Sequence, residues 1–167
     1  MRTSRIARVG MFVAVAFVLS YIESLLPINL GVPGIKVGLS NIVVVLCLYE
    51  SSAKETFGIA MVRILLVGLT FGNFYSLLYS FAGGILSLFM MYFLKRMKKF
   101  SLYGVSVVGG VSHNVGQSIV AMIVLETSKL IYYLPFLLLS GVVAGVAVGI
   151  VSAVLVKRLH PVFKITE

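Results

Sequence analysis

Glu23, Arg63 and the group His113, Asn114 and Gln117 put ionisable or amide side chains inside stretches of sequence that are otherwise apolar. An ionisable group at membrane depth costs at least about 2–3 kcal/mol, so by default it faces a partner, a cavity or a ligand. Counted at about 1.5 Å per helical residue, Glu23 lies about 6 Å and Arg63 about 12 Å below the outer ends of their segments. An arginine side chain spans that difference, so a Glu23–Arg63 pair is geometrically allowed and would offset much of each desolvation penalty. Two readings stand: an ion pair that pins two helices, or a ligand site in which the planar fork of Arg63 takes a carboxylate or phosphate. His113 and Gln117 are spaced i, i+4 and Asn114 and Gln117 i, i+3, which sets all three on one broad helix face. Two amides beside an imidazole can hydrogen-bond a planar heterocycle or a headgroup, and they can equally tie helices together. Lys36 and Asn41, with Asn73 and Tyr75, stand at the mouths of apolar segments and could rim an outward-facing pocket or an ordinary solvated interface.

The elements that must position these groups follow from the composition. Sixty per cent of the 167 residues are hydrophobic, 11% are charged and the mean hydropathy is +1.10. An ordinary soluble domain is about one-quarter charged, so a soluble chain is excluded and an all-α integral membrane protein is expected. Six spans are predicted, at about 9–26, 37–49, 56–71, 74–94, 103–125 and 130–156, forming one transmembrane domain over 1–167 with short loops. The second span is short, which predicts that it tilts little, that it begins inside the preceding Gly- and Pro-rich loop, GVPG at 31–34, or that its neighbours partly shield it. The first apolar run is too long for a cleavable signal peptide and is expected to stay as a span.

Charge orients the spans. With the N-terminus inside, the inner face holds Arg2, Arg5, Arg8, Lys54, Lys95, Arg96, Lys98, Lys99, Lys157, Arg158 and Lys164, and the outer face only Lys36 and Lys129. Cytoplasmic loops carry the excess Lys and Arg, so both termini are expected in the cytoplasm. The net charge of +9 therefore reports membrane topology and not a nucleic-acid partner. Small residues recur every four positions at Gly141, Gly145, Gly149 and Ala153, letting another backbone approach closely, and the first span carries Ala14, Ala16, Ser20 and Ser24.

Several chemistries are missing. There is no GxxxxGK[ST], hence no P-loop and no ATP use by this chain alone. All five acidic residues are glutamates, so no Asp-rich motif can bind magnesium and diphosphate as in prenyl chain elongation. No serine, histidine and acid arrangement suggests a triad. Cys47 is the single cysteine and sits in an apolar stretch, and the other histidine, His160, is in the tail, so no metal site and no cofactor is expected. The chain is not expected to be an enzyme on its own.

The series YIESLLP (21–27), VPGIKVGLSN (32–41), the lone Arg63, SFAGG (80–84), SHNVGQ (112–117) and YYLPFLLLSG (132–141) resembles the Gx transporter family, also labelled heptaprenyl diphosphate synthase component I, from about Ala7 to Leu155. That family is similar to the substrate-binding S components of energy-coupling factor transporters. The resemblance implies a six-helix bundle in a bacterial plasma membrane that holds a small-molecule ligand near the outer face, under the first outer loop; the residues read above as its expected contacts are Glu23, Lys36, Asn41, Arg63, His113, Asn114 and Gln117. It further implies that Ala14, Ala16 and Ser20 on the first span meet a coupling membrane protein whose ATPases supply energy. The label implies an alternative, a non-catalytic membrane subunit that serves a soluble polyprenyl diphosphate synthase or a flavin- or quinone-linked redox protein.

Overall fold

A computed structural model describes residues 2–25 and 38–165, and the side chains of 5–25 and 38–161 within them. Six α-helices account for most of these residues: α1 (Arg2–Leu25), α2 (Leu39–Glu50), α3 (Ala53–Thr70), α4 (Phe74–Met97), α5 (Leu102–Val124) and α6 (Leu134–Ile165), with a 3-10 segment, Ser128–Tyr133, leading into α6. No strand occurs among the described residues. The six helices overlap the six expected segments, with α1 and α6 running on through the basic flanks, while the expected limits at 26 and 37 lie outside the described residues.

Polar residues at the turns set the boundaries. Ser52 and Glu55 form a capping box at the start of α3, with Ser52 N–H donating to Glu55 Oε2 at 3.0 Å. Asn73 Oδ1 accepts from Ser76 N–H at 2.8 Å and starts α4, so the side chain expected at a pocket rim serves as a cap. Ser101 does the same for α5 through Gly104 N–H at 3.3 Å.

Among the described residues, four segments are long and apolar enough to cross a membrane: Arg5–Leu25, Phe74–Met97, Leu102–Val124 and Ser128–Pro161. This is narrower than the six spans expected. Helix α3 carries Lys54, Glu55 and Arg63 in its 18 residues, and α2 has only 12. The burial pattern accounts for the short α2: Ile42, Val43, Val44, Val45, Leu46, Cys47 and Leu48 are all buried, so it is wrapped by protein on every side. By contrast α1, α4 and α6 leave Val18, Ile22, Phe89, Phe93, Leu139 and Val143 exposed, as a lipid-facing surface requires.

The helices close a ring in the order α1, α3, α4, α5, α6, α2 and back to α1. Glycines permit its tightest seams: a Cβ on Gly83 of α4 would stand 2.6 Å from the His113 backbone oxygen, and one on Gly145 of α6 would stand 2.6 Å from Val107 Cα. Ser106 Oγ on α5 donates to the Gly145 carbonyl at 2.8 Å across the second seam. Arg5, Lys95 and His160 meet partners at one end of the ring. There Arg5 bonds Glu55, Lys95 Nζ donates to the Leu48 carbonyl and lies over the Tyr49 ring, and His160 Nδ1 stands 3.0 Å from Glu50. At the turn into α3, the bond from Arg5 holds the Glu55 carboxyl below its ordinary range, aided by the bonds from Ser52 and opposed by burial.

Candidate functional site

All six helices line one central cavity of about 200 Å³. Sites for drug-sized ligands run to about 300–1,000 Å³, so this one suits a small molecule or the head of a larger one. Its described lining includes Glu23, Asn41, Arg63, His113, Asn114 and Gln117, six of the seven residues expected to bind substrate. The seventh, Lys36, and the GVPG loop lie outside the described residues.

Arg63 is the deepest charge, 7% exposed. Its Nη1 donates to Ser40 Oγ and, at 3.1 Å, to Asn41 Oδ1, both in the first turn of α2. Glu23 also turns toward this place: its Oε1 accepts the Gly38 backbone N–H at 2.6 Å, just before α2 begins. Carboxylates are favoured there by the unpaired N–H groups of a helix start. Among the described residues the ion pairs join Arg5 to Glu55 and His160 to Glu50, so the direct Glu23–Arg63 contact that helix depth allowed is not made. Each charge binds neutral groups at the start of α2, within electrostatic reach of the other. Depth along two helices, which is all that spacing reports, could not show that a third helix start would stand between them.

On α5, Asn114 Nδ2 donates to the Leu137 carbonyl and, at 3.3 Å, to Ser140 Oγ. Its amide hydrogens thus tether α5 to α6 while the residue borders the cavity. The His113 ring lies against Gly83, where an added Cβ would meet Cε1 and Nδ1 at 3.1 Å. Gln117 is half-buried, one turn from both.

Much of the remaining lining is hydroxyl: Ser24, Ser40, Ser76, Ser80, Ser87 and Ser106 all border the cavity and were missed as site residues. A signal existed in the sequence, since Ser76, Ser80 and Ser87 repeat at helical spacing along α4. Of the expected partner surface, Ala16 and Ser20 are buried in the ring and Ser20 borders the cavity; only Ala14 is exposed. The small residues at 16 and 20 pack α1 onto its own neighbours and present nothing outward.

Among the described residues no three His, Cys, Asp or Glu side chains converge. The cavity offers a guanidinium, a carboxylate, an imidazole, amides and hydroxyls within a ring of apolar helices, which is a means of recognising a polar group away from bulk water. Neither curated proteins nor solved structures provide a match to the chain. A family model does: heptaprenyl diphosphate synthase component I matches residues 12–155, from the third turn of α1 well into α6, and the chain belongs to that family.

Proposed function

We propose that the chain is the membrane subunit of a polyprenyl diphosphate synthase assembly, non-catalytic by itself, which holds a small polar or amphiphilic ligand in its central cavity and presents its basic end to a soluble synthase partner. The family match over residues 12–155 carries this reading. The cavity supports it: Arg63, Asn41, His113, Asn114 and Gln117 border one space, where Arg63 is the group best shaped for an oxyanion. The seat is a multi-pass position in the plasma membrane, with α2 and α3 completing six spans and both termini in the cytoplasm, as the charge distribution favours.

A second reading draws on the closed ring of six helices around a polar cavity: a substrate-binding transport subunit that relies on a coupling membrane protein and ATPases. Of the three small residues on α1 named for that contact, Ala14 is the one on the surface. Affinity purification of the tagged chain from its native membrane separates the two. Recovery of a soluble prenyl synthase supports the first reading, and recovery of ATPases with a second membrane protein supports transport and sinks the first.

A further inference from the structure

The described lining of the cavity contains one cation, Arg63, and one carboxylate, Glu23, set among hydroxyls, amides and the His113 imidazole. The two charges are not equivalent. The Glu23 carboxylate is engaged by the Gly38 N–H at the start of α2. Arg63 donates to the uncharged oxygens of Ser40 and Asn41 and has no carboxylate within 4.0 Å among the described residues. A guanidinium that is 93% shielded from solvent (7% exposed) and bonded to neutral acceptors favours one anionic group beside it. Each further negative charge brought into the same small space meets the field of Glu23, and in a low-dielectric ring that repulsion is strong.

We propose that the cavity selects a ligand head bearing a single negative charge, a carboxylate or a phosphodiester, and that Glu23 is the specificity-determining residue that rejects a diphosphate. The proposal rests on the ligand-binding part of the reading above and deepens it. It makes the cavity a site for a monoanionic amphiphile, with any diphosphate chemistry left to the soluble partner. The cavity volume of about 200 Å³ holds such a head with a short tail; a seven-unit isoprenoid must leave between the helices.

The test is equilibrium dialysis of the full chain in phosphatidylcholine nanodiscs with three probes of one tail: geranic acid, geraniol and geranyl diphosphate. Wild type is expected to bind geranic acid about tenfold or more tightly than either other probe. Glu23→Gln keeps the oxygen that accepts from Gly38 and removes the charge, so the preference for geranic acid over geranyl diphosphate is expected to fall about tenfold. Arg63→Met is expected to lose geranic acid. A parallel arm with phosphatidylglycerol in the nanodiscs shows the source of the anion: competition with geranic acid assigns the site to a lipid phosphodiester, and no competition assigns it to a free acid. Tighter binding of the diphosphate by wild type, an unchanged ratio in Glu23→Gln, or no binding of any probe overturns the proposal. Capture of a soluble synthase alongside any of those results leaves the assembly reading standing and rejects only this one.

Discussion

At the scale of single residues, Arg63 and Asn114 make opposite predictions although both border the cavity. Arg63 is a buried charge whose described bonds go to neutral side chains, so a Met of similar length gives up those bonds and also removes the desolvation cost of the guanidinium. Arg63→Met is therefore expected to leave the melting temperature in detergent unchanged or raise it, while ligand retention seen by native mass spectrometry is lost. A merely structural arginine would show the reverse. Asn114→Ala removes the tether to Leu137 and Ser140, and interhelical bonds of this kind are worth about 0.6–2 kcal/mol in membranes. A measurable fall in melting temperature is expected. The site was legible in part because ionisable residues stand out against apolar sequence, which pointed to Glu23, Arg63 and the α5 group. Which atoms they bond was not legible, because both charges turn to the start of α2, whose position depends on the whole ring.

Among the elements, the seams between α4, α5 and α6 are the places where one methyl group matters. A Cβ on Gly83 or Gly145 meets backbone at 2.6 Å, which no rotamer relieves. Gly83→Val and Gly145→Val are each expected to destabilise by about 1–3 kcal/mol, read as loss of monodisperse protein on heating, whereas Gly10→Ala on the open side of α1 is expected to be silent. The turn into α3 supplies a pH prediction. Glu55 is held below its ordinary range by Arg5, so its contribution to stability is present above the unfolded carboxylate value of about 4.3 and fades as pH falls through its lower folded value. The melting temperature of wild type should exceed that of Glu55→Gln at neutral pH, and the gap should close in acid. Helix limits were readable from the polar turns, while the capping by Ser52, Asn73 and Ser101 that sets them is local chemistry the sequence reading passed over, giving Asn73 to a pocket rim instead. The partners of α1 were not: Ala14, Ala16 and Ser20 share small size, and only packing decides that two face the bundle and one faces out.

Across the whole molecule, the basic groups brought together by Arg5–Glu55, Lys95–Leu48 and His160–Glu50 define one pole. If six helices cross, the 3-10 segment marks the other. Cys47 is the single, buried cysteine, so its replacement gives a clean background for labelling. Lys99→Cys is expected to react with a membrane-impermeant maleimide only in inverted vesicles, and Tyr132→Cys only in intact cells. Labelling of both from one side would remove the six-span topology. Helix α6 has 32 residues, about 48 Å at 1.5 Å each, against a hydrocarbon core of about 30 Å. A continuous helix of that length is a shaft: its last turns carry Lys157, Arg158 and His160, and its other half forms the cavity wall at Gly141, Ala144, Gly145 and Val148. A shaft turns as one piece, so a rotation imposed on the wall by an occupant reappears, about 20 Å away, in the bearing of Arg158. In the assembly proposed above, the end of this helix would serve as a pointer by which a soluble partner on the basic pole reads whether the interior is filled.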